Sequence, residues 1–229
     1  MKIFLLLLMT LSLMANIGNI MAIKGSADIQ RLGDTLHAKN GMILEKGDSI
    51  ITSKKSRVQV MLKDETVVTI GASSSFSFVE YFYDESKKSK LTMRANRGFF
   101  RSVTGRIGKL APERFKVKTA SATIGIRGTD FSGNILENRE IFKCYEGEIF
   151  IEFEGKRRNI KAGMMAEIFK NRLNVKNFAR MKISKIIDKQ IIPTEFISDI
   201  TQIIEDENNN ATDDSLDVST SSEDRQEQY

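Results

Sequence analysis

The chain has 229 residues, of which 41% are hydrophobic and 28% are charged. This composition is that of an ordinary globular protein with one medium-sized domain and some additional sequence. Its single cysteine, Cys144, excludes an intramolecular disulfide and is expected to be a buried structural thiol. Its single histidine, His37, cannot form a zinc site with that distant cysteine, so we expect no metal and no cofactor.

The first 22 residues have the pattern of an export signal. Lys2 precedes an apolar run over residues 3–14, and a more polar stretch follows and ends at Ala22. This order predicts a signal peptide over residues 1–22 and a periplasmic mature protein. The uncharged stretch 3–23 is also long enough to span a bilayer, so an uncleaved anchor in the inner membrane stays open as the alternative.

Residues 23–169 are predicted to form an all-β domain. Short alternating runs are separated by glycine or polar turns, and no helical period is sustained. The clearest strands are Arg57 to Leu62 and Val67 to Ile70, in which every second residue is apolar. Turns are predicted at Arg97 and Gly98 and at Glu146 and Gly147. Strands of about four to six residues indicate a sandwich, a barrel or a β-solenoid.

The segment from Thr119 to Phe131, TASATIGIRGTDF, is the most distinctive part of the sequence. Gly125 and Gly128 bracket two residues, and glycine permits left-handed or closely approached backbone, so we expect a sharp corner between two short strands. The glycine spacing is not that of a phosphate-binding loop. We expect the guanidinium of Arg127 to satisfy carbonyls or a carboxylate at the corner, so that Arg127→Ala would be destabilising; contact with a ligand is the alternative.

Beyond residue 169 the pattern changes. Residues 170–204 predict two amphipathic helices that pack on the β domain or cap its open end. Lys182, Lys185 and Lys189 are candidates for the alternative, which is docking on a membrane surface. Residues 205–229 contain too few apolar side chains to form a core, and they predict a disordered acidic tail.

Charge divides sharply between these regions. Residues 205–229 hold nine acidic side chains and one arginine, whereas residues 23–204 hold 33 basic and 21 acidic side chains. A basic exported domain favours lipid head groups, acidic glycans or an acidic protein as partners. Nucleic acid is not expected, because no pattern of aromatic and arginine residues resembles a base-stacking platform.

Catalytic groups are not evident in the sequence. Ser73 to Ser75 fit a polar turn that leads into a strand. The carboxylate pairs Glu146 with Glu148 and Glu152 with Glu154 fit solvated strand and turn residues. Without a positioned nucleophile and base, a carboxylate cleft or a metal cluster, we predict that the protein is not an enzyme.

Four sequence blocks together resemble a FecR domain. They occur in the order of that family and cover about residues 24–169. The blocks are Gly47 to Phe78, Phe115 to Phe131, Cys144 to Phe153 and Lys161 to Ile168.

The central block, Gly-Ile-Arg-Gly-Thr-x-Phe, is the most specific part of the resemblance. Its family signature residues are Gly125, Arg127, Gly128, Thr129 and Phe131, which we expect to be mainly structural, with Arg127 also a candidate for binding.

The sequence departs from the family in one turn. The Asp-Gly-Ser turn that is usual between the paired strands is Asp64, Glu65 and Thr66 here, so this turn has to form without glycine.

The resemblance implies an extracytoplasmic all-β domain with twisted β-solenoid character. Founding members relay a signal from an outer-membrane TonB-dependent transporter to a cytoplasmic sigma factor. They carry an anti-sigma segment before their membrane span, whereas Met1 and Lys2 precede the apolar run here. The chain therefore resembles the stand-alone periplasmic type, and no direct contact with a sigma factor is expected. We predict an interaction or signalling module that binds an envelope protein; the alternative is a structural or anionic-glycan-binding envelope component.

Overall fold

The computed structural model describes residues 16–178, and this part of the chain is built almost entirely from β-strands. It contains 15 strands that are joined by hydrogen bonds into one sheet. The strands are β1 (Asn16–Lys24), β2 (Ala27–Arg31), β3 (Asp34–His37), β4 (Ile43–Glu45), β5 (Ser49–Thr52), β6 (Arg57–Leu62), β7 (Val67–Ile70), β8 (Ser75–Phe82), β9 (Lys90–Val103), β10 (Phe115–Lys118), β11 (Ala122–Leu136), β12 (Arg139–Phe153), β13 (Lys156–Lys161), β14 (Met164–Phe169) and β15 (Arg172–Asn177).

Three long strands, β9, β11 and β12, fold this sheet over into two layers. The first half of β9 pairs with β8 and β10, and its second half pairs with β7 and β11. The two halves of β11 and β12 also have different neighbours. The first layer has the strand order β3-β2-β5-β8-β9-β10-β11-β12-β13, and the second has the order β4-β1-β6-β7-β9-β11-β12-β14-β15. The all-β prediction is confirmed.

Each long strand contains a glycine with positive φ where the pairing changes from one layer to the other. The φ values are +83° at Gly98, +56° at Gly128 and +75° at Gly147. Left-handed backbone at such points suits glycine, which has no Cβ. The sequence analysis predicted turns or a corner between short strands at these three places. That prediction was wrong in one respect: the direction changes, but the strands continue through the bends for 14 or 15 residues.

The core lies between the two layers. Phe76 in the first layer packs against Phe100 in the second, with ring centroids 5.2 Å apart. Phe131 meets Phe100 edge-on at 5.8 Å, and all three rings are buried. Burying one such side chain contributes about 1.5–3 kcal/mol to folding. Strands β6 and β7 have the predicted bounds, and their apolar side chains face this core.

The β region extends further than predicted at both ends. Residues 16–22, which the sequence analysis assigned to the signal, lie in β1, where Ile17 and Ile20 are fully buried. Residues 172–177, which were assigned to a helical extension, form β15 beside β14. The rest of the predicted signal, the helical segment beyond residue 178 and the acidic tail lie outside the described residues.

A short helical connection links β9 to β10, which run parallel to each other. It consists of α1 (Arg106–Leu110) and a 3-10 turn over Pro112–Arg114. Parallel neighbours need such a crossover because their adjacent ends lie at opposite edges of the sheet. Ile107 and Ala111 bury their side chains completely and fix this connection on the core. Among the described residues, no helix is long and apolar enough to cross a membrane.

The turn between β6 and β7 anchors the start of α1. Asp64 is fully buried; its carboxylate accepts hydrogen bonds from the Thr66 hydroxyl at 2.7 Å and the Ile107 backbone N–H at 3.2 Å. Its backbone carbonyl accepts the Arg106 N–H at 2.7 Å. Glu65 has φ +68°, so this chain places glutamate in left-handed backbone where the family usually has glycine.

Tyr81 completes this buried network. Its hydroxyl accepts the Asp64 backbone N–H at 2.9 Å and donates to the Asp64 carboxylate at 3.3 Å. Burial, followed by the neighbouring Asp64 charge, raises the pKa of Tyr81 above its ordinary value. The phenol therefore stays protonated and keeps its donor role at neutral pH.

Candidate interaction surface

Gly125 lies beneath an aromatic ring on the outer side of the first layer. It pairs with Phe150 in the neighbouring strand, and the ring of Phe150 covers the space where a Cβ on Gly125 would lie. The Arg157 guanidinium carbon is 3.4 Å from the centroid of that ring, which is the geometry of a cation–π contact. The glycine of the signature thus permits a stack of Phe150 and Arg157 on the backbone.

Gly128, Thr129 and Phe131 shape the bend of β11. Gly128 has left-handed backbone and is exposed. The backbone N–H of Thr129 donates to the Thr104 hydroxyl at 2.9 Å, and its carbonyl accepts the Thr104 N–H at 2.9 Å. Phe131 is fully buried in the core. These positions give the three residues conformational and packing roles in the bend.

Arg127 is exposed, in contrast to the signature residues Gly125, Thr129 and Phe131, which are buried. Within residues 16–178, its side chain makes no hydrogen bond or ion pair, so the structure shows no contact with carbonyls or a carboxylate of the corner. Glu148, which lies opposite Arg127 in the pairing of β11 with β12, accepts a hydrogen bond from Asn159 at 3.2 Å. The Arg127 guanidinium is therefore presented to solvent, as the ligand-contact interpretation requires.

The strands β9 to β13 in the first layer alternate between core and solvent. Ile124, Ile126, Ile149 and Ile151 are buried, and the residues between them point outward. The registers align these outward residues in rows across the strands. We call this surface the basic face. Its basic residues are Lys90, Arg94, Lys116, Lys118, Arg127, Arg157 and Lys161, and its acidic residues are Glu148 and Glu152, together with Glu80 of the adjoining strand β8.

The acidic residues neutralise this surface only in part. The Lys90 ammonium lies 2.8 Å from the Glu80 carboxylate, which also accepts the Thr92 hydroxyl at 2.8 Å. These two donors, Lys90 first, lower the pKa of Glu80 and keep it ionised. Because basic side chains outnumber acidic ones, the surface attracts anionic partners.

A group of interacting polar side chains around Arg101, which the sequence analysis missed, lies on the outer side of the second layer. The Arg101 guanidinium donates to both carboxylate oxygens of Asp130, at 2.9 and 2.6 Å. Arg101 also lies over the ring of Tyr145, with 4.9 Å to the centroid. Asp130 occupies the variable position of the signature, so a carboxylate directly after Gly-Thr was a usable signal. Its partner Arg101 lies 29 residues away in the sequence, and no local pattern pointed to that pairing.

Other residues singled out from the sequence have structural positions. Cys144 is fully buried, as predicted, and burial raises the pKa of its thiol. His37 is exposed, with its Nδ1 3.1 Å from the Asp28 carboxylate. The described chain contains no group of His, Cys, Asp and Glu residues that could hold a metal ion. The candidate binding residues Lys182, Lys185 and Lys189 lie outside the described residues.

An open groove of about 1010 Å³ lies at one end of the sheet. Arg97, Arg139 and Lys170 contribute to its lining, together with Phe169. Glu140 is buried there and accepts the Thr119 hydroxyl at 2.7 Å. Neither histidine nor cysteine is among the lining residues, so the groove offers no imidazole or thiolate for catalysis.

Comparisons with known proteins found two similar solved structures. Two crystal structures of a candidate anti-sigma factor from Parabacteroides distasonis ATCC 8503 are similar to the chain at 15% and 16% identity, with TM-scores of 0.49 and 0.48. Each similarity covers 62% of this chain and 64% or 65% of the other, so the chain spans less than two thirds of those proteins. No curated protein matches the sequence.

The family comparison bears directly on the signature. The model of the family described as FecR protein matches residues 48–150, which include the bend of β11 and most of β12. The resemblance inferred from the four sequence blocks is confirmed, and the chain carries a FecR-family domain over residues 48–150.

Proposed function

We propose that the protein is a periplasmic interaction or signalling module that binds an envelope protein through its basic face. Membership of the FecR family supports a regulatory module that is not an enzyme. The basic face, centred on the stack of Phe150 and Arg157, is the observation that carries the assignment of a binding surface.

The chemistry of this surface favours an acidic protein segment. Arginine presents a planar fork that binds carboxylates through two parallel hydrogen bonds, and Arg127 presents such a fork to solvent. Phe150 is half-buried and adds apolar area beside the cations. Aromatic and arginine side chains at the centre of an interface contribute most of the binding free energy in many protein complexes.

An anionic glycan is the second candidate for the same surface, because surplus positive charge attracts any polyanion. The two ligands differ in how they respond to salt. Glycan binding through exposed charges weakens steeply as salt screens them. A protein that also buries Phe150 keeps an apolar contribution at high salt.

Retention of envelope components on the immobilised full-length protein tests the proposal. We expect a protein to be retained at low and at high salt, and the double variant Lys118→Glu with Arg127→Glu to lose it. The variant Lys39→Glu is the matched control, since Lys39 is exposed in the connection between β3 and β4, away from this surface. Equal retention by the double variant, or retention of polysaccharide alone at low salt, would refute a protein partner on the basic face.

A further inference from the structure

Strand β1 is an interior strand of the second layer. It pairs with β6 from Gly18 to Lys24 and with β4 from Asn16 to Asn19. Ile17 and Ile20 are fully buried in the core. The strand therefore contributes both hydrogen bonds and apolar packing to the domain.

Cleavage after Ala22, the end of the predicted signal, would remove most of this strand. The Ile17 carbonyl accepts the Lys63 N–H at 2.9 Å, and Ile20 exchanges backbone hydrogen bonds with Met42 and Gly41 at 3.0 and 2.8 Å. These groups would lose their partners, and two buried side chains would leave the core. Unpaired buried backbone groups and core cavities are among the most destabilising changes in proteins. A mature chain that begins at residue 23 is thus incompatible with this fold.

The sequence offers an earlier site of the same kind. Two tripeptides share one pattern, in which an aliphatic residue comes first and alanine last. They are Leu13-Met14-Ala15 and Ile20-Met21-Ala22. Signal processing favours small residues immediately before the cleaved bond and two positions earlier; alanine meets the first preference at both places, and Leu13 and Ile20 leave the second unmet at both. The sequence does not distinguish the two sites, whereas the position of β1 favours the first.

The length of the remaining apolar stretch agrees with this choice. With residues 16–24 in the sheet, the uncharged stretch outside it comprises residues 3–15, which is 13 residues. A membrane-spanning helix needs about 20 apolar residues, whereas the apolar core of a signal peptide has about 7–15. This stretch has the length of a signal core and is too short for the anchor that the sequence analysis left open.

We propose that the protein is processed at the Ala15–Asn16 bond, so that the mature chain starts with the first residue of β1. Water adds across this peptide bond, which leaves a carboxylate on Ala15 and a free amine on Asn16. The enzyme class is a leader peptidase acting on the exported precursor. This inference rests on the export that the proposed function assumes.

Expression of the full chain with its own N-terminus in a Gram-negative host tests the site. The periplasmic fraction is separated, and the intact mass and N-terminal sequence of the protein are measured. We expect the mature protein to begin at Asn16. Ala15→Leu should block this processing and leave a longer chain, whereas the matched variant Ala22→Leu, at an exposed position of β1, should be processed normally.

The outcomes separate this inference from the proposed function. An exported protein that begins at residue 23, or retains residues 1–15, overturns the processing site and leaves the basic face as the binding surface. A protein that stays in the cytoplasm with residues 1–15 intact overturns both the processing site and the periplasmic role. Normal processing of Ala15→Leu would also refute the Ala15–Asn16 bond.

Discussion

The outer surfaces of the two layers differ in how many of their charged side chains form ion pairs within the fold. On the second layer, Arg101 pairs with Asp130, and Glu167 lies 3.2 Å from Arg139 and 3.3 Å from Lys176. On the basic face, Lys90 is the one cation with an ion pair among the described residues. Charges that are paired within the fold serve the fold, whereas unpaired charges are available to a partner. The difference supports the proposal that the first layer is the binding side, and we call the second layer the self-contained side.

Among the substitutions that test this comparison, Gly125→Val should change stability the most. The added side chain would occupy the space of the Phe150 ring, and overpacking of this kind costs about 1–3 kcal/mol. Displacement of the Phe150 ring would also remove its stack with Arg157. Chemical denaturation measures the cost, and Thr123→Val, an outward substitution of similar size in the same strand, is the control. Unchanged stability would show that Phe150 does not need the glycine.

Asp130→Ala tests the self-contained side. It removes the two carboxylate oxygens of Asp130 to which the half-buried Arg101 guanidinium donates, and we expect a loss of about 1 kcal/mol, because Arg101 remains partly solvated. The measurement is the free energy of unfolding in urea. Binding to the envelope partner should be retained. If Asp130→Ala leaves the free energy of unfolding unchanged, the paired charges on the second layer do not stabilise the fold.

Arg127→Ala tests the binding side. Because the guanidinium makes no hydrogen bond or ion pair in the described chain, we expect stability to change by less than about 0.5 kcal/mol. Retention of the partner should fall. If the guanidinium were instead bonded to carbonyls or a carboxylate at the bend, Arg127→Ala would lower stability and leave binding unchanged. A loss of stability equal to that of Asp130→Ala would remove the distinction between the two surfaces.

Glu65→Gly should have the smallest effect. Glycine relieves left-handed backbone that costs other residues about 1–2 kcal/mol, but it adds about 0.5–1 kcal/mol of entropy to the unfolded chain. The substitution also removes the exposed ion pair with Arg106, which is worth about 0–1 kcal/mol. At the middle of these ranges the net gain is about 0.25 kcal/mol, to be measured by thermal unfolding. Glu65→Ala loses the ion pair and keeps the strained backbone, so it should be less stable than Glu65→Gly.

Local patterns predicted the elements that depend on local alternation. Strands β6 and β7 were recognisable because every second residue faces the core, and the buried thiol of Cys144 followed from its place two residues after Phe142. The FecR resemblance was recognisable from residues such as Gly125, whose spacing is specific. These features need no knowledge of distant parts of the chain.

The features that were missed depend on pairing between distant segments. Glycines at 98, 128 and 147 gave turn signals, but neighbouring strands hold the backbone extended on both sides of each bend. β15 has mostly exposed side chains, and its strand conformation follows from pairing with β14. β1 is as apolar as a signal segment, so composition does not distinguish the two. The basic face likewise emerges only when the registers bring five strands together.

The three bent strands also determine how the domain can come apart. Because β9, β11 and β12 run through both layers, the two layers cannot separate as independent units. The domain should therefore melt in a single all-or-none transition, without a half-folded species. The basic face exists only where the registers of the folded sheet align its strands, so recruitment of a companion would report that the domain is assembled.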